Sequence, residues 1–114
     1  MKKSKTPAPE SNPEPNIVHL QGSVDLEHAP DVRRRLLAAV ALERNVLVDL
    51  SAATYIDSSG IACLVEALQK ARGKGYDLCL VAVSMQARRV LELARLDMVF
   101  LIHDDLAAAA AAGA

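Results

Sequence analysis

From residue 17 onward, hydrophobic positions along the chain follow two rhythms, and each change of rhythm marks an element. Ile17-Val18-His19-Leu20-Gln21 is β-rich and stops at Gly22, a turn signal. From Leu26 the spacing changes, and Ala29, Val32, Leu36 and Val40 recur every three or four residues as the apolar face of a helix over 27–41. Val46-Leu47-Val48-Asp49-Leu50 is a short, nearly continuous apolar run, the pattern of a buried strand. A second helix is predicted over 59–72, with Ile61, Leu64, Val65 and Leu68 as its core stripe and Gly73-Lys74-Gly75 as its stop. Asp77 to Val83 predicts the most apolar strand. Ser84 is placed to cap a third helix, whose Ala87, Val90, Leu91 and Ala94 share a face. Met98 to Ile102 reads as an edge or near-edge strand, and Asp104-Asp105 opens a last helix that the alanine run 107–112 extends.

Strands separated by helices of this length pair in parallel through right-handed crossovers. The expected fold is α/β: one domain over 17–112, with a small, mostly parallel sheet of four to five strands and about four helices. Residues 1–16 hold four of the five prolines and no Val, Ile, Leu or aromatic residue. That composition predicts a solvated arm in place of an element.

Composition narrows the functions open to such a domain. Of 114 residues, 52% are hydrophobic and 24% charged, and the net charge is -1. Neither a nucleic-acid footprint nor a polybasic membrane anchor is expected from that balance. Tyr55, Tyr76 and Phe100 are the only aromatics, too few for a base-stacking platform. No apolar run approaches the roughly 18 residues a membrane span needs. Cys63 and Cys79 lie among apolar neighbours without CxxC spacing, which suits reduced core thiols and a cytoplasmic setting. Zinc is not expected. Arg33, Arg34 and Arg35 lie mostly off the apolar face of their helix and read as a solvated surface.

One stretch stands apart, Tyr55-Ile56-Asp57-Ser58-Ser59-Gly60, between a predicted strand and the helix after it. In parallel α/β domains, ligands and partners meet the loops at the carboxyl ends of strands. A hydroxyl here sits at a helix N-terminus, where a phosphoryl group would be tolerated by the helix and repelled by Asp57. The plainer reading is that Asp57 or Ser58 caps the helix. No catalytic constellation accompanies it. Ile56 stands where a nucleophile elbow needs its first glycine, and Gly60 is alone in its loop, unlike a phosphate-cradling P-loop. His19, His28 and His103 form no arrangement that marks a general base. Asp25, Asp49 and Asp57 could be imagined as a carboxylate metal cluster, but they fall at different places along two strands, and Asp25 is expected to cap the helix at 27–41. The residues suggest a binding module with no metal and no cofactor.

The segments Val46-Leu47-Val48-Asp49-Leu50 and Tyr55-Ile56-Asp57-Ser58-Ser59-Gly60-Ile61 resemble the signature of the STAS family, named for sulfate transporters and anti-sigma factor antagonists. Leu20-Gln21-Gly22-Ser23-Val24-Asp25 resembles the family's L-x-G-E-L-D segment, with Ser23 in place of the glutamate. Arg88 to Leu96 resembles the third helix and its following loop. The resemblance implies a non-enzymatic protein. A stand-alone antagonist of this family binds an anti-sigma factor that is also a serine kinase, is switched off by its phosphorylation and is restored by a phosphatase. It places the phosphorylated serine at Ser58, with Asp25, Asp57, Ser59 and Gly60 on the partner surface and Gly60 letting the loop pack closely against a partner. The family's extra N-terminal strand is not evident here, and an edge strand built from part of the arm is the remaining possibility. Other small members serve lipid-transporting ABC systems by binding the nucleotide-binding subunit, the alternative that the resemblance leaves open. The intact Asp57-Ser58-Ser59-Gly60 favours the phosphorylatable class.

Overall fold

In a computed structural model, which describes residues 15–113, the elements follow the order β1 (Asn16–Val24), α1 (Ala29–Val40), β2 (Val46–Ile56), α2 (Ser58–Gly73), β3 (Leu78–Val81), α3 (Met85–Leu93), β4 (Leu101–His103) and α4 (Leu106–Ala111), with a 3-10 turn at Leu96–Met98. The strands form one four-stranded sheet in the order β1-β2-β3-β4, and every pairing is parallel. Because each right-handed crossover steps to the next strand in the same direction, successive helices fall on the same face of the sheet. The main core lies there: Leu20, Val48, Leu50, Leu80 and their neighbours meet Leu36 of α1, Leu64 and Leu68 of α2, and Leu91 of α3. The opposite face is covered more thinly. Leu47, Cys79 and Val81 pack with Ala109 of α4. The proposed arm falls, apart from its last two residues, outside the described residues, as does any strand built from it. Asn16 already belongs to β1.

The helices follow the predicted spacing, with two adjustments. In α2 the buried stripe is Gly60, Cys63, Leu64, Ala67, Leu68 and Ala71, while Ile61 and Val65 flank it half-buried. In α3, Ala87 and Leu91 are buried and Ala94 is exposed just past the last turn. The stop of α2 is a Schellman closure: Tyr76 N–H donates to the Ala71 carbonyl, Gly75 N–H to that of Arg72, and Gly75 takes φ +89°.

Strand boundaries depart further from expectation. β1 does not end at Gly22 but runs to Val24. Gly22 takes φ +71° beside a register shift, so it marks a bulge and not a strand end. β2 continues six residues past Leu50 to Ile56, alongside the second half of β1. β3 covers only Leu78–Val81, because Ala82 turns into the left-handed region (φ +52°), its N–H donating to the His103 carbonyl at 3.0 Å. Met98 belongs to the 3-10 turn, which delays β4 to Leu101.

Candidate functional site

The carboxyl ends of β1 and β2 lie side by side, with Val24 opposite Ile56 in the pairing register. The chain leaves β1 through a turn at Asp25–His28 and leaves β2 through the single residue Asp57 into α2. Asp57 joins the two exits. Its Oδ1 accepts from Ser59 N–H at 2.8 Å and Gly60 N–H at 3.2 Å, which caps α2, and its Oδ2 accepts from Leu26 N–H at 3.2 Å. Its own N–H donates to the Val24 carbonyl at 3.2 Å. The cap is therefore Asp57. Ser58 is the first helical residue, exposed, with its hydroxyl left out of the cap.

Gly60 is buried, and the reason is internal. A Cβ at that position would stand 2.3 Å from the Val24 carbonyl oxygen and within 3 Å of Val24 and Ile56 side-chain carbons. The missing side chain lets the first turn of α2 rest on the end of β1, so Gly60 permits close packing against its own sheet. Ser59, half-buried behind Ser58, gives its N–H to the cap.

Asp25 does not cap α1, whose N-cap is His28 with no side-chain bond. It closes the turn before the helix. Asp25 Oδ1 accepts from His28 N–H at 3.2 Å and lies 2.7 Å from His28 Nδ1, and the Asp25 carbonyl accepts from His28 N–H at 3.1 Å. The hydrogen bond from the His28 ring holds the Asp25 carboxyl below the ordinary carboxylate range, against a partial desolvation that works the other way. Reciprocally, the Asp25 carboxylate raises His28 above an ordinary histidine. Leu26, between them in sequence, is 72% exposed. Neither Leu26 nor His28 is singled out by sequence pattern. The available signal was a leucine inside the polar turn Asp25-Leu26-Glu27-His28 directly after a strand.

The structure brings Asp25, Asp57, Ser58, Ser59 and Gly60 to one end of the sheet. It leaves Asp49 away from them, in the first half of β2, where its carboxylate meets His19 Nδ1 at 2.8 Å and Ser51 N–H at 2.9 Å. Burial opposes charge on Asp49, but the Ser51 and His19 bonds prevail and its carboxyl lies below the usual range. The three arginines of α1 are engaged within the molecule. Arg33 forks onto both oxygens of Glu66 at 2.7 and 2.8 Å, tying α1 to α2, Arg34 pairs with Asp31, and Arg35 donates to the His19 carbonyl at 2.6 Å. Among the described residues no three His, Cys, Asp or Glu side chains gather as a metal site, and no helix is long and apolar enough to cross a membrane.

This arrangement has relatives. The crystal structure of an anti-sigma factor antagonist from Mycobacterium paratuberculosis superposes with a TM-score of 0.75 at 30% identity, over 84% of this chain and 82% of that one. The Bacillus cell fate determinant SpoIIAA, in its phosphorylated form, shares the fold at 15% identity, with a TM-score of 0.66 over 86% and 89% of the two chains. A STAS-domain containing protein of Pseudomonas aeruginosa (strain UCBPP-PA14) is 27% identical over 97 residues, covering 85% of this chain and 96% of that protein. The family model for the STAS domain matches residues 6–109, which takes in the sheet, the capped loop at Asp57, α1 to α3 and the first part of α4. The chain belongs to the STAS domain family.

Proposed function

We propose that this protein is an anti-sigma factor antagonist, a non-enzymatic binding protein whose partner is an anti-sigma factor with serine kinase activity. Phosphorylation of Ser58 turns it off and a phosphatase restores it. The observation that carries this reading is the division of labour at the start of α2. Asp57 caps the helix, so the exposed Ser58 hydroxyl beside it has no structural duty and can be modified without loss of the fold. The likeness to an anti-sigma factor antagonist at 30% identity supports it.

The switch is electrostatic. A phosphoryl group adds about -1.5 to -2 charge at neutral pH, and the N-terminal end of α2 tolerates it. At an interface the same charge stands beside Asp57, at the end of the sheet that also carries Asp25, where a partner surface suited to the unmodified loop would have to desolvate it. Serine kinase anti-sigma factors purified from the source genome, incubated with this protein and ATP, should place one phosphate on Ser58, mapped by mass spectrometry. The modified protein should no longer bind the kinase. Ser58→Ala should block modification while leaving binding in place. A phosphate on Ser59, or equal binding before and after modification, would overturn the assignment.

A further inference from the structure

We infer that Leu26 is the apolar anchor by which the kinase that modifies Ser58 holds this protein, an inference that rests on the phosphorylation reading above. Leu26 is 72% exposed and belongs to neither hydrophobic cluster, so the fold does not use its side chain. Its backbone is nevertheless fixed. Leu26 N–H is held at 3.2 Å by Asp57 Oδ2, and the turn around it is closed at His28 by both the carbonyl and the carboxylate of Asp25. An exposed leucine on a fixed turn loses little conformational freedom when a partner covers it, which favours binding energy at that position.

Its place decides the partner. The other oxygen of the same Asp57 carboxylate caps the helix that begins with Ser58, so Leu26 and Ser58 flank one side chain. A kinase must bring its phosphoryl donor in line with the Ser58 hydroxyl, and its surface then covers the adjoining turn. Asp25 and Glu27 border Leu26 in sequence. The complementary surface is therefore an apolar pocket with a basic rim beside the kinase cleft. A few side chains desolvated at the centre of an interface carry most of its affinity, while the charged rim governs the rate of encounter.

The probe is the purified kinase that phosphorylates Ser58 in the experiment above. Steady-state phosphorylation is measured on wild type, Leu26→Ala, Leu26→Met and Leu93→Ala. The last truncates a leucine that is 81% exposed at the far end of α3. Thermal melts of all four should coincide. The KM of Leu26→Ala should rise about tenfold or more with kcat within about twofold, Leu26→Met should recover most of the loss, and Leu93→Ala should match wild type. An unchanged KM for Leu26→Ala, or an equal rise for Leu93→Ala, overturns the anchor and leaves the phosphorylation reading standing. Failure of every kinase to modify Ser58 overturns that reading, and the anchor with it.

Discussion

Asp57 uses both carboxylate oxygens on backbone N–H groups, one pair in its own helix and one across the strand exit at Leu26. Ser58, its neighbour, contributes nothing to that cap. The two residues cannot be told apart by spacing, since either is a good N-cap type ahead of Ser59-Gly60-Ile61; only the geometry of the exit from β2 decides between them. Replacement of a capping Asp by Ala costs about 0.5–2 kcal/mol, typically about 1. Asp57 also ties two loops, so Asp57→Ala should fall in the upper half of that range in urea unfolding. Ser58→Ala should stay within about 0.5 kcal/mol of wild type, as exposed substitutions away from structural contacts do. Equal losses for the two variants would mean that Ser58 shares the cap and is not free for modification.

At the scale of elements, what the sequence makes legible is governed by side-chain period, and what it hides is governed by backbone pairing. The helices α1, α2 and α3 are readable because Leu36, Leu64 and Leu91 each sit within a run of apolar residues at helical spacing. The second half of β2 is hidden because Ser51-Ala52-Ala53-Thr54 has no strong β pattern; it is strand because β1 runs beside it. β3 looks longer than it is because Ala82 and Val83 continue its apolar run, and only the left-handed backbone at Ala82 ends it. The site was visible as Asp57-Ser58-Ser59-Gly60, but the role of Gly60 was not, because the atom it avoids belongs to a strand more than thirty residues earlier. That contact sets the sign of a substitution. Helix propensity alone predicts that Gly60→Ala stabilises by about 1 kcal/mol. The methyl group would instead meet the Val24 carbonyl at 2.3 Å, a backbone atom that can yield only if α2 moves off β1. Overpacking of this kind costs about 1–3 kcal/mol, so a net loss is expected in denaturant titration. A gain would show that the end of β1 is not held against α2.

For the molecule as a whole, the two faces of the sheet differ in how firmly they are closed, and each face carries one cysteine. Cys63, on α2, lies in the main core against α1, 7% exposed, with its Sγ 3.6 Å from the Ala29 carbonyl. Cys79 is 3% exposed, beneath the six-residue α4, from which only Ala109 is buried. A helix that short is marginal alone, and one buried alanine adds little packing, so α4 should undock locally while the rest of the fold persists. Burial pushes both thiols up, reinforced by Glu66 beside Cys63 and Asp77 beside Cys79, so both react slowly in the closed state. With a thiol reagent in native buffer, Cys79 should therefore be labelled well before Cys63, although static exposure ranks it as the more protected. Deleting residues 105–114 should accelerate Cys79 and leave Cys63 slow. The raised thiols also set a direction with pH. Above the ordinary thiol value of 9.0, the unfolded chain loses these protons while the folded one keeps them, so the unfolded state binds fewer protons and stability falls as pH rises. The fall should be smaller in a Cys63→Ala, Cys79→Ala variant, with the difference read from urea midpoints at pH 8 and pH 10. Labelling of both cysteines at one rate, unchanged by removal of α4, would mean that the thin face opens only with the whole domain.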